Sequence, residues 1–149
     1  MTRKVFSLRV RRAREEAEEG TDYSFFIFLA KGSQETLAGG ITISNVRRRA
    51  AQFCNLGYWM GQRYAGQGVM TEAVSVCVPY VFDTLELHRI HASFLPGNRA
   101  SRRVLEKNGF VEEGFAEKYL QINGRWEDHV LFGLNRERYE MARYALQYR

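Results

Sequence analysis

The chain has 149 residues, of which 45% are hydrophobic and 13% aromatic, and its formal net charge is +5 at pH 7. This composition predicts one domain, residues 1–149, with its own hydrophobic core, and it excludes a disordered chain. No apolar run reaches the roughly 18 residues of a membrane-spanning helix, and no signal peptide is expected. Two cysteines, Cys54 and Cys77, indicate neither a disulfide framework nor a zinc site. We therefore expect a cytoplasmic domain with buried, reduced thiols, no metal and no membrane contact.

The positive charge is concentrated at the N-terminus. Residues 1–14 contain six Arg and Lys side chains and no acidic residue, and a second basic run covers 47–49. Such patches suit partners with phosphate groups, either RNA or a polyphosphate cofactor. A solvated helix face explains residues 9–14 at least as well.

The first half of the chain predicts one helix and three strands. Apolar residues at helical spacing predict a helix over 6–19 that ends at Gly20. Aromatic and β-branched runs separated by turn-like residues predict strands over 23–30, 35–44 and 51–61. We expect these strands to form an antiparallel meander.

From residue 62 onward the apolar residues follow helical spacing instead of the alternation of a strand. A glycine-containing loop leads into a helix of about four turns. Pro79 lies inside the apolar pattern of this helix and is expected to kink or shorten it near Ser75.

The remaining segments predict strands and short helices in alternation. Residues 88–95 predict a strand, and Asn98 is expected to cap a short helix that stops at Gly109. The last elements are strands over 110–122 and 125–134, joined by the hairpin dipeptide Asn123-Gly124, and a helix over 135–147. The order α-βββ-α-β-α-ββ-α predicts a mixed α+β fold, with one layer of sheet covered by helices.

The segment RYAGQG (63–68) lies between a strand and a helix. Gly66 and Gly68 allow a tight turn that presents successive N–H groups to one point, and the positive end of the helix dipole faces the same point. Such a loop binds a pyrophosphate or a similar anion. It is not a P-loop, because no Gly-Lys-Ser/Thr follows, and the preceding meander argues against a dinucleotide fingerprint. A purely structural glycine turn stays open as an alternative.

Four segments together resemble a known family. RYAGQG resembles the Arg/Gln-x-x-Gly-x-Gly/Ala signature of the GNAT acyltransferase superfamily, and NRASRRVLEKNGF (98–110) resembles its second conserved segment. Together, LGYWMGQRYAGQGVMTEA (56–73), LHRIHA (87–92), the NxxS segment (98–101) and INGRWEDHVLFGL (122–134) resemble the RimJ/RimL branch, the ribosomal-protein alanine and serine N-acetyltransferases. The last segment points to the alanine-specific side, and the resemblance covers roughly residues 23–134.

The resemblance implies that acetyl-CoA binds where two parallel strands, 53–60 and 88–95, move apart in a GNAT fold. Backbone groups of Tyr58, Trp59 and Met60 would pair with the pantetheine arm. The residues implied to hold the pyrophosphate, mostly through main-chain N–H groups, are Arg63, Gly66, Gln67, Gly68, Val69 and Met70.

The implied reaction, acetyl transfer to an α-amine, needs a base, an oxyanion donor and an acid. An amine is largely protonated near pH 7, so a base must remove its proton. The backbone N–H of Met60 is expected to stabilise the oxyanion. Asn98 is implied to contact pantetheine as well as cap its helix, and Ser101 to lie near the thiol. Many superfamily members protonate the thiolate from a tyrosine at the position of Leu105, so we expect Ser101 to replace it here.

The candidates for the catalytic base are carboxylates near the last hairpin. We prefer Asp128 as base or amine anchor, before Glu113 and Glu117, although a surface role explains each of them. A glutamate used by some relatives falls at Leu120 and does not carry over. Strand alternation places Asp128 and His129 on opposite faces, and we interpret His129 as a packed histidine.

The resemblance also exposes a difference at the N-terminus. Family members usually begin with a further strand and helix, and no equivalent precedes 6–19. We therefore expect the strand 23–30 to be an exposed sheet edge. A truncated chain, a start codon placed too late or a short natural form that dimerises would each explain this, and the C-terminal helix 135–147 could also cover the edge.

We therefore expect an acetyl-CoA-dependent N-acetyltransferase, in which an α-amine attacks directly in a ternary complex. The expected acceptor is the N-terminal alanine of a ribosomal protein, with the basic segments close to ribosomal RNA. A covalent acetyl-cysteine stays open, as does a small-molecule amine such as an antibiotic or amino acid. A truncated, non-catalytic module that binds RNA or protein is the remaining alternative, against which the glycine loop and the NxxS segment argue.

Overall fold

The computed structural model describes residues 14–147, which form one six-stranded sheet with flanking helices. The strands are β1 (Tyr23–Lys31), β2 (Gln34–Arg47), β3 (Phe53–Met60), β4 (Arg89–Phe94), β5 (Val111–Ile122) and β6 (Arg125–Asn135). The helices are α1 (14–19 in the described part), α2 (Val69–Pro79), α3 (Arg99–Lys107) and α4 (Arg136–Gln147). The predicted element order and mixed α+β class are confirmed, whereas residues 6–13 of the first predicted helix lie outside the described residues.

The sheet has the order β1-β2-β3-β4-β6-β5. All neighbouring strands are antiparallel except β3 and β4, which are parallel. The first three strands form the predicted meander. A parallel pair needs a long crossover, and the segment that contains α2 supplies it.

The helix ends and the hairpin follow the predicted glycine signals. Gly20 and Gly109, after α1 and α3, have φ values of 73° and 82°. In both cases the next residue donates its amide to a carbonyl five positions back, at 3.0 and 3.1 Å, which defines a Schellman motif. Asn123 and Gly124 have φ values of 51° and 78°, as a two-residue hairpin turn requires.

The expected shortening of α2 near Ser75 is wrong. The helix continues to Pro79 and is followed by a π-helical turn, Tyr80–Thr84. The turn places Val81 and Phe82 in the core, where neither is exposed to solvent. Burial of these side chains outweighs the local cost of the proline, because tertiary packing supplies most of the stability of a short helix.

The core lies between one face of the sheet and the helices α2 and α3. Residues of β4 alternate strictly between buried and half-buried along the strand. Ile90, Ala92 and Phe94 point into the core, so the side chains between them, including His91 and Ser93, lie on the opposite face. The cleft described below therefore has two distinct sides.

β1 is the outermost strand on its side of the described sheet, as expected. Phe26 and Phe28 on this strand are each 54% exposed. The C-terminal helix leaves the edge uncovered, because α4 packs against the π-helical turn. Tyr139 stacks on Phe82 with ring centroids 4.7 Å apart.

Candidate active site

The parallel strands β3 and β4 separate after a short stretch of pairing. Only Phe53–Asn55 and Arg89–His91 are in register. Beyond the Asn55–His91 pair both strands continue, β3 to Met60 and β4 to Phe94, without pairing to each other. The predicted separation of these strands is confirmed, and it opens a gap through the sheet.

The hydrogen bonds to β2 determine where the backbone of β3 points. Gly61 donates its N–H to β2 at 2.8 Å, and in an antiparallel ladder the bonded pairs recur at every second residue. Trp59 is therefore bonded to Gly40, its partner in the register. The N–H and C=O groups of Tyr58 and Met60 point away from β2, into the gap. This orientation supports Tyr58 and Met60 as backbone partners of a ligand, whereas the backbone of Trp59 is already engaged.

On the core face the gap opens into a cavity of about 240 Å³, here called the helix-side cavity. Tyr58, Asn98 and Ser101 are among its lining residues. Asn98 caps α3, as predicted, by accepting a hydrogen bond from the Ser101 amide at 3.0 Å. Tyr58 donates its phenol proton to the Ser101 carbonyl at 3.3 Å, and burial raises the pKa of this phenol. The cavity thus brings two hydroxyl groups and an amide side chain together.

The glycine loop before α2 has the geometry of an anion cradle. Gly66 and Gly68 have φ values of 75° and 81°, and a Cβ on either would meet nothing within 4 Å. Glycine is therefore required there by the backbone conformation, and the space in front of the loop stays open. Gly68 caps α2 without a side-chain hydrogen bond, so the first-turn amides keep no intrahelical acceptor. Gln67 closes the loop by donating to the Arg63 carbonyl at 2.9 Å. This arrangement fits a pyrophosphate.

A glycine pair in β2, which the sequence patterns did not single out, holds β3 in place. A Cβ at Gly39 would lie 2.5 Å from the carbonyl oxygen of Trp59, and one at Gly40 would lie 2.6 Å from the indole Nε1. Glycine inside a strand is typical of such a close approach. The two glycines therefore set the position of the strand that borders the gap.

On the opposite face the gap opens into a second cavity of about 730 Å³, here called the far-side cavity. Four residues line both cavities: Leu56, Gly57, Ala92 and Ser93. The two cavities therefore lie on either side of the same stretch of β3 and β4, next to the gap. Asn55, His91 and Tyr119 also line the far-side cavity.

An ion pair borders the far-side cavity. Arg89 and Glu113 form a salt bridge, and a Cβ at Gly133 would lie 2.6 Å from the Arg89 Nη2 atom. Gly133 thus provides the room for this pair.

The ring of His91 contacts the ring of Phe53, with centroids 4.9 Å apart. Burial and the charge of Arg89 lower the pKa of His91, while Glu113 opposes the shift. A pKa below the usual 6.5 leaves the imidazole mostly neutral at pH 7.

The carboxylates predicted as bases occupy different positions. Asp128 accepts a hydrogen bond from the Lys118 amide at 2.9 Å, where β5 is irregular, and it lies outside the linings of both cavities. Glu113 is engaged with Arg89, and Glu117 is exposed. Their catalytic roles stay predictions.

His129 is packed, as interpreted from the sequence. It is 3% exposed, and its Nδ1 lies 3.0 Å from the Glu127 carbonyl oxygen. The ring of Tyr119 lies 5.8 Å away, and the imidazole also lines the helix-side cavity. No sequence pattern predicted a histidine in the lining of this cavity.

The two thiols differ in burial. Cys54 is fully buried, and burial raises its pKa to about 12. Cys77 is half-buried, and burial raises its pKa as well. A protonated, inaccessible thiol is a poor nucleophile, which argues against a covalent acetyl group on Cys54.

The basic run 47–49 is partly engaged in the fold. Arg48 donates to the Leu85 carbonyl, and Arg47 donates to the Asn45 side chain at 2.8 Å. Of the basic N-terminal segment, Arg14 alone falls within the described residues. In the described range 14–147, no helix is long and apolar enough to cross a membrane.

Comparison with known proteins identifies the family. The profile described as acetyltransferase (GNAT) domain matches residues 2–111. The probable N-acetyltransferase YjcK of Bacillus subtilis is 42% identical over 126 residues, which cover 85% of this chain and 68% of that protein. The ribosomal protein uS5-alanine N-acetyltransferase of Escherichia coli is 39% identical over 111 residues, which cover 74% of this chain and 57% of that protein. The chain belongs to the GNAT acetyltransferase family.

One solved structure is similar to this chain in fold and belongs to the branch that the sequence resembles. Mycobacterium smegmatis RimJ in complex with CoA-disulfide matches with a TM-score of 0.82 and 34% identity, over 89% of this chain and 61% of that one. The predicted GNAT fold and the similarity to the RimJ/RimL branch are confirmed. The chain spans between 57% and 68% of the length of the two curated relatives.

Proposed function

We propose that this protein transfers the acetyl group of acetyl-CoA to an α-amine by direct attack in a ternary complex. The observation that carries the proposal is the gap between β3 and β4, with a cavity on each face of the sheet and four lining residues in common. Two substrates can enter from opposite faces and meet at the gap.

Acetyl-CoA takes the helix-side cavity in this proposal. Its pyrophosphate binds the amides of 66–70 at the start of α2, and its pantetheine arm follows the free backbone groups of Tyr58 and Met60. Asn98 lies where it can contact the same arm while it caps α3. The similar RimJ structure is a complex with CoA-disulfide, which supports a CoA site in this fold.

The groups at the gap suit each step of acetyl transfer. The amine nitrogen attacks the thioester carbon, and the oxyanion that forms accepts a hydrogen bond from a β3 backbone N–H that faces the gap, that of Tyr58 or that of Met60. The carbon–sulfur bond then breaks, and the thiolate takes a proton from the Ser101 hydroxyl. The high pKa of Cys54, about 12, supports direct attack over an acetyl-cysteine route.

The acceptor class is the N-terminal alanine of a ribosomal protein. The support is similarity to the E. coli enzyme named for alanine on ribosomal protein uS5 and to RimJ, at 39% and 34% identity. An acceptor on the ribosome brings ribosomal RNA close, and the exposed Arg47 and Arg49 suit those surroundings.

The test is an acceptor screen with the full chain. Acetyl-CoA affinity is measured by calorimetry, and acetyl transfer is measured by release of the CoA thiol and by mass spectrometry of the acceptor. Probes are peptides that begin with alanine, serine or acetyl-alanine, and spermidine as a small amine. We expect the alanine peptide to be preferred and the blocked peptide to be inert. Preference for spermidine would overturn the acceptor class, and tight acetyl-CoA binding without transfer to any amine would overturn the catalytic function.

A further inference from the structure

We propose that His91 takes the proton from the acceptor amine in the far-side cavity. This inference rests on the proposed function, because it assigns a base to the same reaction. No carboxylate named from the sequence combines a free side chain with a place beside the gap.

The position of His91 carries the inference. It forms the last residue pair with Asn55 before the strands separate, and it faces the cavity opposite the core. Ser93 lies on the same face, one strand repeat further along, and lines both cavities. The backbone distance between them is about 6.6 Å. An amine that attacks a thioester held beside Tyr58, three residues beyond Asn55, is then within reach of the imidazole through one water.

The surroundings of His91 keep the imidazole able to accept a proton. Burial and Arg89 on the same strand both lower its pKa, and Glu113 on β5 raises it. Tyr119 on β5 is the other ionisable side chain of the cavity, and Phe53 packs on the ring from β3. At neutral pH the side chain is uncharged and holds a free lone pair, as a general base requires.

The proton balance of the step is complete. An alkylammonium R–NH₃⁺ gives one proton to His91, and the freed nitrogen lone pair attacks the thioester carbon. When the carbon–sulfur bond breaks, the sulfur keeps the electron pair and one further proton from the nitrogen passes to it through Ser101. The imidazolium then releases its proton to solvent through the wide far-side cavity, so the net products are an amide, CoA and one proton.

The competing carboxylates are already engaged. Asp128 accepts the Lys118 amide and lies outside both cavities. Glu113 lies in the far-side cavity, but its carboxylate is engaged in the ion pair with Arg89. His91 is the candidate that fits both geometry and charge.

The variant that tests the inference is His91→Gln, which keeps a polar side chain without a titration near neutral pH. Its matched control is His88→Gln, just before β4, where the imidazole is exposed and lies 3.6 Å from Glu137. Both variants and the wild-type chain are assayed with acetyl-CoA and each acceptor probe between about pH 5.5 and 9, on both sides of the usual histidine pKa. Acetyl-CoA affinity and thermal unfolding are measured alongside.

We expect His91→Gln to lower kcat about 10²-fold at pH 7, with acetyl-CoA affinity unchanged. The deficit should shrink above pH ~8, because the free amine then needs no base. A purely structural defect would be independent of pH, so a constant deficit overturns the inference, as does full activity of His91→Gln in a folded protein. If the wild type acetylates no amine, both the proposed function and this inference fail. If the wild type acetylates an amine and His91→Gln does so equally well, this inference fails alone.

Discussion

Tyr58 on β3 donates its phenol proton to the carbonyl oxygen of Ser101 on α3, at 3.3 Å. This hydrogen bond joins the strand whose backbone faces the gap to the helix that Asn98 caps. The Ser101 amide is held by Asn98 and its carbonyl by Tyr58, so its hydroxyl is the part of the residue that is free to act. A substitution can therefore remove the Ser101 hydroxyl and leave both backbone hydrogen bonds of this residue in place.

Ser101→Ala should lower kcat and leave acetyl-CoA affinity unchanged. A positioned proton donor is worth about 10²-fold or more, and both backbone hydrogen bonds survive the substitution. The check is kcat against the calorimetric Kd for acetyl-CoA. Tyr58→Phe is the companion variant, since its phenol lies in the same cavity. A larger loss of kcat in Tyr58→Phe would transfer the proton-donor role to Tyr58.

Gly66→Asp should abolish acetyl-CoA binding. The change places a negative charge and a side chain in a loop that is proposed to hold a pyrophosphate, and a Kd at least ~100-fold higher corresponds to about 2.8 kcal/mol. Gly32→Asp is a matched control, because Gly32 also has a positive φ, 63°, and open space around its Cβ. Calorimetry with acetyl-CoA measures both. Equal affinities in the two variants would show that the pyrophosphate binds elsewhere.

Gly39→Ala should destabilise the protein and weaken acetyl-CoA binding together. The new Cβ would lie 2.5 Å from the Trp59 carbonyl oxygen, so β3 must shift beside the gap. We expect a loss of about 1–3 kcal/mol in the free energy of unfolding, as for other overpacked sites. Gly114→Ala in β5 is the control, because a Cβ there meets nothing within 4 Å. Urea unfolding and calorimetry measure the two effects, and a Gly39→Ala protein as stable as the control would contradict the close approach.

Local signals in the sequence predict the elements better than they predict the chemistry. Gly20, Gly109 and the Asn123-Gly124 dipeptide act through backbone conformation, which depends on few neighbours, and all appear as predicted. The shortening expected at Pro79 does not occur, because the burial of Val81 and Phe82 in the following turn, a tertiary effect, outweighs the local cost of the proline.

The far side of the site depends on contacts between distant strands. His91, Glu113 and Gly133 come from three strands and meet only once the order β4-β6-β5 is established. No spacing in the sequence connects them. The glycine loop and the NxxS segment are visible in the sequence because each lies within a few consecutive residues.

Cys54 should make the protein less stable as the pH rises from 9 to about 12. The unfolded thiol ionises above pH 9, whereas the buried thiol stays protonated up to about 12, so ionisation favours the unfolded state. The loss is about 1.4 kcal/mol per pH unit in that range. Urea unfolding of wild type and Cys54→Ala at about pH 7 and pH 10, below and above the ordinary thiol pKa, measures the difference. An identical loss in both proteins would show that the thiol titrates normally in the fold.

Glu113→Gln should lower the pKa of His91 further and shift the acid limb of kcat/KM to lower pH. Glu113 is the group that raises this pKa, and its removal leaves the positive charge of Arg89 uncompensated beside the imidazole. Glu112→Gln is the neighbouring control, because Glu112 pairs instead with Arg102 at 2.7 Å. The imidazole signals in an NMR titration, assigned with His91→Gln, report the pKa directly. An upward shift in Glu113→Gln, or an equal shift in the control, would mean that the ion pair does not set the charge state of His91. A downward shift confined to Glu113→Gln would show that this carboxylate sets the charge state of His91.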